Sequence, residues 1–122
     1  MSEGGYLPVD ASGSTKGANI AVVATSSPGT TLHDTGTSAK IQDLVTVEAC
    51  NIDTRAHKLT IQWGGTASAD EIIQWIKPES GLEMVVELQR LSGTGVAAAS
   101  IKAYADTTNI INCKVRVMRM TP

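Results

Sequence analysis

From residue 41 onward the chain alternates. Val45, Val47 and Ala49 are separated by Thr46 and Glu48, and Cys50 closes the run. Leu59, Ile61 and Trp63 are separated by Thr60 and Gln62. A period of two places successive side chains on opposite faces, so both runs predict half-buried β-strands. The polar connection between them, residues 51–56, is rich in turn formers and predicts a hairpin. Leu82, Met84, Val86 and Leu88 repeat the alternation. Gly93-Thr94-Gly95 then turns into a strand over 96–105, with Ala97, Ala99, Ile101 and Ala103 on one face. Past residues 106–109, a last strand turns Ile111, Cys113, Val115 and Val117 inward and Asn112, Lys114, Arg116 and Met118 outward.

One segment reads two ways. Ser68-Ala69-Asp70-Glu71 matches a capping box ahead of Ile72-Ile73-Gln74-Trp75-Ile76, which fits a two-turn helix stopped by Pro78. Isoleucine and tryptophan are mediocre helix formers and the segment is short, so a strand is preferred. Six strands then occupy 41–120. Residues 1–40 are rich in Gly, Ser and Thr, with one short apolar stretch at Ile20–Ala24. They predict an extended N-terminal arm with one or two short strands. The expectation is an all-β chain: an antiparallel sandwich or jelly-roll-like barrel over 41–122, of seven or eight strands with those of the arm.

Composition narrows the classes. The 122 residues suit one domain, and 42% hydrophobic against 18% charged residues can build a core. Phe is absent, so that core must be aliphatic. Ten basic and twelve acidic side chains, net −2, argue against a nucleic-acid partner. No apolar run approaches the ~20 residues of a membrane span. The N-terminus has neither a basic stretch nor an apolar one of the signal-peptide kind, so a soluble product made in a cytoplasm is expected.

Candidate chemistry is thin. Cys50 and Cys113 lack Cys-x-x-Cys spacing and give no zinc pattern; they read as two buried free thiols, or as a disulfide if their strands are neighbours. His57 with either cysteine would make a nucleophilic dyad only within hydrogen-bond reach. An exposed turn histidine is the plainer reading. Gly36–Lys40 has the glycine and lysine of a phosphate loop without its spacing or framing elements. Asp70 and Glu71 are adjacent and would face opposite ways on a strand, so with Glu79 they form an acidic rim rather than a carboxylate pair. No catalytic residue, cofactor or metal ligand is expected. Trp63, ahead of Gly64-Gly65, is core or an interface anchor. Lys102, Lys114, Arg116 and Arg119 give the C-terminal third a basic face that is merely solvated, guards an edge, or meets an acidic partner.

Two stretches carry a resemblance. One is the strand, N-x-D-T-x-x-H turn and strand ending in W-G-G at residues 47–65, preceded by Thr31-Leu32-His33. The other is the A-D-T-x-N-x-I-N segment at 105–112. Together they resemble small virion proteins encoded among the head genes of tailed phages. The resemblance implies a capsid decoration, or cement, protein: β-rich, trimeric, and bound outside the shell of the virion to the major capsid protein. Under it, Tyr6, Leu7 and Pro8 of the arm, Trp63, Arg116 and Arg119 are the expected contacts with capsid or sister subunits. A neck or tail adaptor and a glycan-binding sandwich using Trp75 or Tyr104 are the other classes.

Overall fold

The computed structural model describes residues 5–14 and 16–121, without the side chains of Gly5, Tyr6 and Thr121. Among the described residues nine strands run in chain order: β1 (Gly5–Asp10), β2 (Ile20–Ala21), β3 (Thr30–Asp34), β4 (Gln42–Asn51), β5 (His57–Trp63), β6 (Glu71–Ile76), β7 (Glu83–Ser92), β8 (Ser100–Ala105) and β9 (Ile111–Thr121). They form two antiparallel sheets. The first has the order β1-β9-β4-β7, with β2 also on β9; the second has the order β3-β8-β5-β6. β1 and β2 are two pieces of one edge, pairing with successive parts of β9. Counted so, there are eight strand positions, and this order is that of a jelly roll, in which the chain passes repeatedly between two facing sheets.

That connectivity changes one expectation. β4 and β5 do not form a hairpin, because they lie in different sheets and residues 52–56 arch between them. An alternating strand shows only that one face is buried, and both sheets bury a face against the same core. The pattern is therefore identical for a hairpin and an arch. Consecutive strands pair directly only at β5 and β6. Their link contains a single 3₁₀ turn, Ser68–Asp70, so the segment that read two ways is a short turn followed by a strand.

The inward faces follow the alternation where registers are regular. Val45, Val47 and Ala49 of β4 and Ile111, Cys113, Val115 and Val117 of β9 are buried. They meet Leu59, Ile61, Ile101, Ala103 and Ala105 of the opposite sheet in one aliphatic cluster. β7 departs from the pattern. Its register against β4 shifts twice, on either side of Val47↔Val86, and Leu88 has φ +49. Each shift adds a residue and flips the phase. Val86 is buried, whereas Leu82, Met84 and Leu88 are exposed and Val85 and Leu91 pack on the core. β8 also begins later than expected. Residues 93–99 form a loop in which Ala97 is exposed and Val96 is 89% exposed.

The boundary at residue 40 separates no independent arm. Ala11, Ile20, Val22 and Leu32 belong to the same buried cluster as the later strands. Within residues 5–14 and 16–40 the strands are short and separated by turns, but β1 and β2 border β9 and β3 borders β8. Two glycines of this segment, Gly13 and Gly29, sit at close backbone approaches. A Cβ on Gly29 would lie 2.5 Å from the Ala103 carbonyl oxygen.

Candidate functional site

The two stretches that carry the resemblance meet in space. Asn51 ends β4 with its side chain fully buried. Its Nδ2 donates to the carbonyls of Arg55 (2.7 Å) and Ile76 (3.0 Å), and its Oδ1 accepts from the Asp53 N–H at 2.9 Å. This fixes the arch as an Asx turn. His57, at the start of β5, lies between two carboxylates: Nε2 is 2.7 Å from Asp53 Oδ2 and Nδ1 is 2.7 Å from Asp106 Oδ1. Asp106 also accepts the Lys58 N–H at 3.1 Å. Asn109, in the same turn as Asp106, has φ +60 and donates its N–H to the Val22 carbonyl. The N-x-D-T-x-x-H turn and the A-D-T-x-N turn are thus two halves of one clamp across an end of the sandwich.

The electrostatics of the clamp follow from these contacts. Hydrogen bonds to Asp53 and then Asp106 raise the His57 pKa above its ordinary value, against a smaller opposing effect of burial. The bond from His57 and the Thr54 N–H lower the pKa of Asp53. Burial pushes Asp106 up, but the Lys58 N–H and His57 outweigh it and the net direction is down. His57 is buried, which corrects its reading as an exposed turn residue.

A second polar chain lies at the other end of β4. Asp43 is 1% exposed. Arg119 donates to it twice, Nε to Oδ1 at 2.8 Å and an Nη to Oδ2 at 3.0 Å. His33 Nε2 lies 2.7 Å from Asp43 Oδ2, while its Nδ1 accepts the Ser12 N–H at 3.1 Å. Burial raises the Asp43 pKa, and the bonds from Arg119 and His33 more than reverse it. The spacing of these four residues gave no sign of this chain, because it joins β1's exit, β3, β4 and β9.

The candidate catalytic groups do not assemble. Cys113 points into the core, where burial pushes its thiol up to about 12. Cys50 is in register with Asn112, one position along from the Ala49↔Cys113 pair, so the two sulfurs lie on opposite faces of the sheet. Both cysteines are free. His57 engages the two carboxylates rather than either thiol. Asp70 folds back onto the Ala67 N–H, and Glu71 accepts the Tyr104 hydroxyl at 3.0 Å. Residues 36–40 form a loop between β3 and β4, with no helix after them.

The expected contact residues divide. Leu7, 57% exposed, and Pro8 lie on the edge strand β1, and Tyr6 pairs with Met120 through its backbone while its side chain falls outside the described residues. Trp63 is half-buried and packs on the core beside Gly64, whose φ is +82. Arg119 is taken up by Asp43. Arg116, its side chain 60% exposed, has one long contact to Glu48 at 3.5 Å. Lys114 is also engaged, donating to the Gly17 carbonyl. The outer face of the first sheet thus brings Pro8 and Arg116 together with Met118, which pairs with both Pro8 and Leu44. Two shallow depressions flank them, of about 300 Å³ against Glu87 and Leu88 and about 210 Å³ against β1, and Arg116 and Met118 line both. The exposed apolar side chains Leu88 and Met84 extend this face. They were hidden in the sequence by the two bulges. Among the described residues no group of acidic, histidine or cysteine side chains could hold a metal ion, and no helix is long and apolar enough to cross a membrane. Comparison with protein-family models, curated proteins and solved structures gives no match.

Proposed function

We propose that this chain is a structural virion protein that binds the outer surface of a phage capsid and stabilises the shell, without catalytic activity. The observation that carries the reading is the clamp. The residues of the resemblance, Asn51, Asp53, His57, Asp106 and Asn109, are those that lock the arch to the β8–β9 turn. In this chain the pattern thus has a structural role, which supports reading the resemblance as one of scaffold. The jelly-roll order adds a general association, since that architecture recurs in viral capsid and lectin domains. Fold alone does not assign function, so the surface must bear it. The mixed apolar and charged face around Pro8, Arg116 and Met118 suits a shell contact.

Such a protein favours the expanded shell because it binds that state, and symmetry repeats each modest contact over the particle. The test is the copy number of the chain relative to the major capsid protein in purified particles. Copies near stoichiometric with the shell are expected. A few to a few tens of copies would instead assign a neck or tail adaptor. Absence from particles would overturn the virion reading and direct attention to glycans. There the exposed Trp75 lies opposite Lys58, which lines a depression of about 240 Å³ with Thr25, Thr60, Tyr104 and Asp106.

A further inference from the structure

Two sheets leave four edges: β1 with β2 and β7 in the first, β3 and β6 in the second. An edge strand presents unpaired N–H and C=O groups, and proteins guard such edges with proline, bulges or lysine. Pro8 sits in β1, β3 has a register break between Thr31 and His33, and β7 has two breaks. β6 differs. It is Glu-Ile-Ile-Gln-Trp-Ile, paired with β5 in unbroken register from His57↔Ile76 to Gln62↔Glu71.

The direction of its free hydrogen bonds follows from β5. The Lys58 carbonyl accepts the Asp106 N–H, and the Gly64 N–H donates to the Ser100 carbonyl. Even-numbered positions of β5 therefore turn to β8. Odd-numbered ones turn to β6, where they meet Ile72, Gln74 and Ile76. Backbone groups alternate sides in an antiparallel ladder, so Ile73 and Trp75 point theirs away from β5. They have no backbone partner there among the described residues, whereas the Lys77 N–H just beyond the strand is already taken by Glu83 Oε1 at 2.9 Å, so the open ladder is that of Ile73 and Trp75. Their side chains are exposed on the outer face, Trp75 by 60%.

We propose that β6 is a self-association edge. Two copies pair their β6 strands antiparallel about a two-fold axis through Gln74, joining two four-stranded sheets into one. The ladder requires positions of like parity to face each other, which leaves axes through Ile73, Gln74 or Trp75. An axis through Ile73 sets Glu71 against Trp75, and one through Trp75 sets Lys77 against Ile73. The axis through Gln74 sets Glu71 against the partner's Lys77 and Ile73 against the partner's Trp75. Each pair then occurs twice by symmetry. Opposite charges and aromatic–β-branched pairs are the favourable cross-strand combinations. A closed trimer would need β6 to pair head-to-tail with a different edge, and those edges carry guards. The two-fold pair concerns the β6 edge alone, and it holds whether or not the chain binds a capsid.

Sedimentation of the full chain over a range of concentrations tests it. A reversible species of twice the chain mass is expected, and Trp75→Lys should leave a folded monomer. Glu71→Lys or Lys77→Glu alone should weaken the dimer by about tenfold or more, because like charges then face each other twice. The double swap should bring affinity back to within about threefold of the wild type. A monomer at all concentrations, a trimer, a dimer indifferent to Trp75→Lys, or a double swap no tighter than the single variants would each overturn the proposal.

Discussion

At the scale of single residues, His57 and Asp43 decide more than their neighbours. His57 has both ring nitrogens against carboxylates, an arrangement that favours the imidazolium. Its raised folded pKa contributes stability that is complete below the unfolded value of about 6.5 and is lost as pH rises through the folded value. The lowered pKa values of Asp53 and Asp106 act in the opposite sense. Their contribution is complete above the unfolded value of about 3.9 and is lost as pH falls through the folded values. Thermal melts across pH should therefore peak between about pH 4 and 6.5. His57→Gln should flatten the alkaline limb, and a variant that kept the limb unchanged would remove His57 as its source. Two arginines that look equivalent in sequence should also separate. Arg119→Ala leaves the buried Asp43 carboxylate without its main cation and should cost about 3–5 kcal/mol in denaturant unfolding. Arg116→Ala, at an exposed position, should stay within about 0.5 kcal/mol, and under the proposed function it should weaken shell binding.

At the scale of elements, β7 shows how one inserted residue overrides a pattern. Val86 and Leu88 share a face in an ideal strand. The register shift between them leaves Val86 buried and Leu88 exposed. Val86→Ala should cost about 1.5–3 kcal/mol, and Leu88→Ala less than about 0.5. Equal losses would mean that the bulges are misplaced. β5 shows a different effect. Thr60 and Gln62 lie on its nominally polar face, yet both are buried. Part of the reason is the loop before β3, whose Gly29 N–H donates to Gln62 Oε1 at 2.8 Å while Gln62 Nε2 donates to Ser27 Oγ at 2.8 Å. A polar residue in an alternating run is thus no guarantee of solvent.

At the scale of the whole molecule, the described residues before position 41 are part of the sandwich rather than an appendage. Leu32, Val22, Ile20 and Ala11 close the core, and His33 completes the network around Asp43. Deleting residues 1–40 removes these and uncovers one side of β9 and of β8. The remaining 41–122 chain should lack a cooperative melt and a dispersed amide spectrum. A folded 41–122 fragment would restore the two-part division that composition suggests. The same connectivity joins segments distant in sequence at almost every step. Folding in the slow range of small domains, milliseconds to seconds, is expected in stopped-flow refolding.

The sequence by itself determined the β class and the inward faces of β4, β5 and β9, because a two-residue period has one geometric meaning and those registers are regular. It also carried the residues of the clamp, as two motifs with no visible reason to meet. Tertiary structure decided which strands share a sheet, since hairpins and arches bury the same alternating face. It decided the phase of β7, since a bulge leaves no mark in hydrophobicity alone. It drew Arg119 onto Asp43 and left Arg116 exposed on the outer face with one long contact to Glu48. These outcomes depend on pairing between distant segments, and pairing is set by the packing of two whole sheets rather than by the residues beside each position.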